Sequence, residues 1–216
     1  MRKLFIILLT SSLLSLFLCN NAIAREDWEF WNMETIKAKI TDKIGLTLIE
    51  EFRFNEDSST FYTHVQYLGP TYTFNENFGV GILHQMVNSK KNDDWNTNHR
   101  FDLDAYISTK IYDFKIDTRT RFERDVTINT WTYRAKEQIS YDIILFNRNY
   151  TPYISNEGYL ALTPEVKYNE NRMEIGIKTG FLFGTEIGSY YMNRMKKPKN
   201  DWINSNVLGL NLSYKF

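Results

Sequence analysis

Cysteine is nearly missing from this sequence: Cys19 is the only one among 216 residues, and it lies in a segment expected to be removed on export. A mature chain without thiols has no disulfide, no thiolate metal site and no cysteine nucleophile. Cys19 also follows Leu18 rather than the small residue that lipoprotein attachment prefers. An excess of one charge is lacking too. The 26 basic and 26 acidic residues cancel, which argues against a nucleic-acid partner. No long apolar run follows residue 24, so a membrane crossing here is work for strands. Phosphate-cradling glycine loops, zinc-type histidine pairs and nucleotide fingerprints are absent; no cofactor and no metal are expected.

What is present begins with Arg2 and Lys3, an apolar run from Leu4 to Leu18, and Ala22-Ile23-Ala24. That order reads as a secretory signal peptide cut after Ala24. The run is shorter than the roughly 20 residues of a membrane-spanning helix, and Thr10, Ser11, Ser12 and Ser15 interrupt it. The expected organisation is therefore a signal peptide over 1–24 and a single domain over 25–216.

From Trp28 onward the hydropathy pattern has period two, the mark of strands whose faces meet different surroundings. Phe101, Leu103, Ala105, Ile107, Thr109 and Ile111 alternate with Arg100, Asp102, Asp104, Tyr106, Ser108 and Lys110. After Tyr112-Asp113 the pattern resumes, with Phe114, Ile116, Thr118, Thr120 and Phe122 set between Lys115, Asp117, Arg119, Arg121 and Glu123. Only an antiparallel hairpin fits so short a turn. About eleven segments read this way, whereas single-chain bacterial barrels usually have an even number; the weak stretch at Trp28 to Thr35 or the region around Tyr159 to Tyr168 conceals the discrepancy. Turns such as Thr41-Asp42-Lys43, Asn75-Glu76-Asn77 and Phe146-Asn147-Arg148 alternate with longer polar connections at Asn88 to Asn98, Glu157 to Asn171 and Lys196 to Asp201.

Segments of about 10 to 14 residues exceed the roughly 5 to 6 of soluble domains and suit a tilted bilayer crossing. The expected fold is all-β: a single antiparallel transmembrane meander β-barrel of about 10 to 12 strands, with short periplasmic turns, longer outer loops, an apolar outer face and a charged lumen. The expected location is the bacterial outer membrane. Leu208, Leu210, Leu212, Tyr214 and Phe216 share one face of the last strand and resemble the terminal signal by which such barrels are handed to the insertion machinery. Tyr62, Tyr72, Tyr112, Trp131, Tyr150 and Trp202 fall near strand ends, where interfacial girdles form. Glu50 and Glu137 fit badly, being in phase with apolar neighbours; a β-bulge or an interfacial position would relieve them.

The chain resembles the outer-membrane family called domain of unknown function 2490. The likeness rests on Glu50-Glu51-Phe52-Arg53-Phe54-Asn55, His99-Arg100-Phe101, Arg119-Thr120-Arg121-Phe122-Glu123 and the Gly209 to Phe216 ending. It implies a barrel of about 10 to 12 strands and brings no activity and no catalytic residues.

Candidate lumen residues are Arg53, Arg100, Asp102, Asp104, Lys110, Lys115, Asp117, Arg119, Arg121, Glu123, Arg134, Lys136, Arg172, Glu174 and Lys178. They are read as a salt-bridge ladder closing a narrow barrel or, in the alternative, as a charged solute path. The rival class is an outer-membrane lipid hydrolase of the phospholipase or lipid A deacylase kind, whose serine follows its histidine by two residues on one strand face. Here Gln66, Met86 and Phe101 stand at that offset from His64, His84 and His99, and Ser89 is out of phase with His84. No catalytic activity is expected, and His84 reads as an interfacial structural residue. Asp93-Asp94-Trp95-Asn96 and Lys196-Lys197-Pro198-Lys199 read as solvated loops. Outer-membrane lipids, lipopolysaccharide and the insertion machinery are the expected partners; oligomeric state is left open.

Overall fold

The computed structural model describes residues 27–56, 58–91, 94–180, 184–198 and 201–216. The segment 1–24 read as a signal peptide, Cys19 included, lies outside the described residues. The chain forms one sheet of β1 (Asp27–Lys39), β2 (Ile44–Asn55), β3 (Thr60–Asn75), β4 (Phe78–Lys91), β5 (Asp94–Ile111), β6 (Phe114–Asp125), β7 (Thr130–Tyr141), β8 (Ile143–Leu145), β9 (Arg148–Ala161), β10 (Lys167–Gly180), β11 (Thr185–Lys196) and β12 (Ile203–Lys215). β8 continues the line of β7, and both pair with β9. The sheet closes on itself as a barrel of eleven staves.

Each neighbour in the chain pairs antiparallel with the next, as a meander requires. The closing pair does not. β1 runs parallel to β12, with Asp27 opposite Ser205 and Lys37 opposite Lys215. This corrects the wholly antiparallel expectation, and the reason is parity: ten reversals leave the first and eleventh staves pointing the same way, so their ladder must be parallel. The weak stretch at Trp28 is a full part of β1. The expected long connections are also shorter than read, because β4 runs on to Lys91, β5 begins at Asp94, and Glu157 and Asn171 belong to β9 and β10. One rim of the barrel carries the two-residue turns at Asn75–Phe78, Ile111–Phe114 and Leu145–Arg148, the last with φ of 51° and 58° at Phe146 and Asn147. Both values suit the left-handed geometry of a tight hairpin. The opposite rim carries the connections after β2, β4, β6, β9 and β11; they are called the turn rim and the loop rim below.

Apolar side chains point out and charges point in. Phe101, Ile107 and Phe122 are 49%, 52% and 46% exposed, whereas Asp102, Asp104 and Arg121 between them are 1%, 0% and 2% exposed. The outward surface is ordered along the barrel axis. Aliphatic residues such as Leu68, Ile82, Leu103, Ile154, Ile175 and Leu210 occupy its middle. Aromatic rings gather at both ends. Near the turn rim the pairs are Tyr72–Phe74 (4.8 Å), Phe74–Phe78 (5.1 Å), Phe114–Tyr141 (5.4 Å) and Tyr214–Phe216 (5.6 Å). Near the loop rim Phe54–Phe61 and Phe61–Trp95 (both 5.3 Å), Phe122–Tyr133 (5.1 Å) and Trp28–Tyr191 (6.3 Å) form the second belt. Tyr62, expected in a girdle, turns inward instead. A register shift at Arg53/Phe54 lets it donate its hydroxyl to Glu29 at 2.7 Å.

The interior holds two apolar clusters among its ions, which refines the expectation of a charged lumen. Val65, Tyr67 and Leu83 pack together with Ile49 and Val87 against them; Trp31, Met192 and Val207 form a second cluster beside Tyr190. Apolar contacts fill the parts of the lumen that its ions leave. Close packing is built into the backbone at β12. The ring of Tyr190 lies flat where a Cβ on Gly209, its partner in register, would stand.

Candidate functional site

Alternation along β5, β6, β7, β9 and β10 aims a charged residue inward at every second position, so ions of both signs meet where these strands adjoin. Arg121 shows the local design. Its Nε and Nη2 fork onto the two carboxylate oxygens of Asp104 at 2.6 and 2.7 Å, while Nη1 lies 2.7 Å from Asp102. Planar guanidinium suits such bidentate contact. Tyr106 donates its hydroxyl to Asp104, and the ring of Tyr67 from its apolar cluster faces the guanidinium at 5.4 Å.

A longer chain of pairs runs around the inner wall. Arg100 binds Asp125 (3.0 Å) and Glu123 (3.1 Å), and Glu123 meets Arg134 (3.2 Å). Arg134 meets Glu157 (2.9 Å), which also accepts from Arg119 and lies 3.9 Å from Arg172. Arg172 binds Glu170 (2.7 Å), Glu170 binds Arg194 (2.9 Å), and Arg194 reaches Glu29 (3.2 Å). Seven staves, β5, β6, β7, β9, β10, β11 and β1, are joined through ions. Aromatic faces brace the cations: Tyr159 lies under Arg134 and Arg172 at 4.4 and 4.6 Å, and Trp31 under Arg53 at 4.0 Å and Arg172 at 5.1 Å. Between these groups a cavity of about 140 Å³ remains, touched by side chains of nine staves, among them Glu51, Tyr67, Arg134, Glu157 and Arg172.

Toward the turn rim the pairing thins. Lys115 keeps Asp117 at 2.8 Å and Lys136 keeps Glu174 at 3.2 Å. Lys110 stands opposite Lys115 in register, Lys37 opposite Lys215, and Lys178 lies 4.6 Å over the Tyr153 ring. Like charges facing each other are tolerable only where water reaches them, so this mouth is a solvated funnel above the filled region.

The structure thus brings Arg53, Arg100, Asp102, Asp104, Arg119, Arg121, Glu123, Arg134, Lys136, Arg172 and Glu174 to the packed lumen, and Lys110, Lys115, Asp117 and Lys178 to its turn-side mouth. Leu208, Leu210, Leu212, Tyr214 and Phe216 line the outward face of β12 and its end. Sequence reasoning missed Glu29, Glu51, Asp125, Glu157, Glu170 and Arg194. Glu51 and Arg53 show the available signal: they are two apart on one inward face and bonded at 2.8 Å.

The β-bulge expected to relieve Glu50 is not at its position. Its ladder is regular, Glu34 and Gln66 being its partners in register, and it stays outward, held by Gln66 and His64. Glu137 also stays in a regular ladder, opposite Thr118 and Asn156. His84 Nε2 meets His99 Nδ1 at 3.1 Å, a second imidazole in place of a hydroxyl. Asp94 and Trp95 belong to β5, and Asp93 and Lys199 lie outside the described residues. Among the described residues no group of three or more His, Cys, Asp or Glu converges as for a metal ion.

Comparison with known families adds one match, to a family described as protein of unknown function (DUF2490), over residues 28–205. The chain belongs to that family. Neither a curated protein nor a solved structure matches it. The matched range of this DUF2490 barrel runs from β1 into β12 and so takes in every ion pair of the lumen chain.

Proposed function

We propose that this DUF2490 protein is an outer-membrane barrel with a structural duty: a continuous wall whose lumen is closed to solutes by its own ion network, without catalytic activity. The observation that carries the reading is the small cavity at mid-lumen, where side chains from nine staves leave about 140 Å³. That volume holds a few waters, with Arg134, Arg172 and the Tyr67 and Tyr190 side chains crowded around it. Barrels with wide aqueous lumens have roughly 16 to 18 strands, well above eleven.

Support for the membrane location comes from the outward face, an aliphatic middle between two aromatic belts, the pattern by which spanning barrels meet hydrocarbon and its two interfaces. The staves, 12 to 18 residues long apart from the short β8, exceed the roughly 9 to 11 needed for a tilted crossing. In this orientation the turn rim faces the periplasm and the loop rim the outside.

Planar-bilayer recording of the purified chain tests the proposal. A closed barrel gives no stepwise current at moderate voltage, and Arg134→Ala with Arg172→Ala, which removes two side chains from the packed region, gives small steps. Large, regular steps from the unaltered chain would overturn the closed lumen and favour the charged solute path.

A further inference from the structure

The outward face breaks its own rule at Glu137 on β7 and, more densely, in one further area. On β2 to β5, beside the loop-rim aromatic belt, polar side chains project from the wall in bonded groups. Glu50 is held by His64 and Gln66, and His64 stacks on Phe52 at 4.9 Å. Two staves from Glu50, His84 and His99 join at 3.1 Å with their rings stacked 5.3 Å apart, and Phe101 tilts against His84 at 5.1 Å. Phe101 separates His84 on β4 from Arg124 on β6, because it opposes both in register. Arg124 gives one Nη to Asn129 and holds its guanidinium 5.0 Å over the Trp131 ring. Two imidazoles and a guanidinium therefore share a patch three staves wide, about 10 Å across.

None of these three makes an ion pair with a carboxylate among the described residues, whereas Glu50 has both of its oxygens engaged. Ionisable groups on a wall that meets lipid are costly unless a polar partner answers them. Imidazole and guanidinium N–H groups answer phosphate oxygens best. Arg124, over the Trp131 ring, stands at the aromatic belt, the depth of lipid headgroups, and His84, opposite Leu68, lies nearer the aliphatic middle. Phe101 and Trp131 beside them offer apolar surface to the start of an acyl chain.

We propose that His84, His99 and Arg124, on the outward face of β4 to β6, form a binding site for the phosphate of a lipid in the leaflet at the loop rim. The site rests on the membrane reading above. A second copy of the chain fits less well, since a two-fold contact centred here would set the Arg124 guanidinium against its own copy. A soluble anion would have to reach a wall that hydrocarbon covers.

The full chain, reconstituted in phosphatidylcholine nanodiscs, is offered diphosphorylated lipid A, dephosphorylated lipid A or free pyrophosphate, and bound ligand is counted by native mass spectrometry. The expected result is preferential retention of the phosphorylated lipid. That retention falls roughly tenfold in His84→Ala/His99→Ala and in Arg124→Gln, the size of one lost charge-assisted hydrogen bond. Heat-modifiable gel mobility confirms that each variant is folded; Arg124→Gln alone suffices if the histidine pair proves necessary for folding. Equal retention of the two lipids, unchanged retention in a folded variant, or equally tight binding of pyrophosphate would overturn the site. A chain that inserts but ignores phosphate sinks this inference alone, whereas a chain that fails to insert sinks the membrane reading with it.

Discussion

Replacing Glu157 by glutamine removes the most heavily shared carboxylate of the lumen at almost no change in volume. Glu157 is buried and accepts from Nε and Nη2 of Arg134 at 3.2 and 2.9 Å, from Arg119, and from the Tyr159 hydroxyl at 3.3 Å, with Arg172 at 3.9 Å. After the substitution Arg134 retains Glu123 and Arg172 retains Glu170. Arg119 is left without any ion pair among the described residues. Removing the buried partner of such a shared ion cluster, which serves the buried Arg134 and the part-buried Arg172 and Arg119, costs about 3–5 kcal/mol. With an m-value of about 2–3 kcal/mol/M in urea, the midpoint of unfolding falls by roughly 1–2.5 M. The assay is urea unfolding of the barrel refolded into lipid vesicles, followed by tryptophan fluorescence and heat-modifiable mobility. Adding Arg119→Gln removes the orphaned cation and recovers part of the loss, with a coupling of about 0.5–3 kcal/mol. A loss below about 1 kcal/mol, or no recovery in the double variant, would show that the network is hydrated and that the lumen is not packed as described.

Other outcomes follow from the same geometry. Gly209→Ala sets a methyl group into the Tyr190 ring; it destabilises the barrel by about 1–3 kcal/mol, and Tyr190→Leu in the same chain relieves this, as unfolding midpoints will show. Leu103→Arg, in the aliphatic middle of the outer face, costs about 2–4 kcal/mol in vesicles, and a loss below about 0.5 kcal/mol would count against hydrocarbon there. Because β1 enters at the loop rim and β12 ends at the turn rim, an epitope placed just before Asp27 is removed by protease added to intact cells, and one placed after Phe216 is protected. Loss of both epitopes or of neither contradicts that topology.

The wall was legible in the sequence because most staves carry one clean alternation, as between Phe101 and Ile111 or Phe114 and Phe122. β1 was faint for a physical reason. It points Trp31 and Met33 into the lumen and Asn32 and Glu34 outward, so the hydropathy of its two faces nearly cancels. The candidate lumen residues were found where they flank apolar neighbours. Glu157, Glu170 and Arg194 were not, since a polar stretch reads alike whether its charges meet water or one another. Burial of paired ions is a property of three-dimensional neighbours: Arg194 and Glu29 are 165 positions apart in the chain. The parallel closure was implicit in an odd count of segments, yet an odd count reads more naturally as a strand missed.

The seam between β1 and β12 also bears on how such a wall can be assembled. Every other ladder is templated by a hairpin, whose turn fixes the register before the strands zip together. At the seam no turn exists, and partners such as Trp31 and Gly209 must find each other across nearly the entire length of polypeptide. Sealing the cylinder is therefore the one non-local step, and its alignment is chosen by fit alone, by indole, phenol and thioether packing over a bare glycine. A permuted chain that splices residue 216 to residue 27 would need a bridge running the full height of the cylinder, whereas cutting at any hairpin spares the side chains that align the closure.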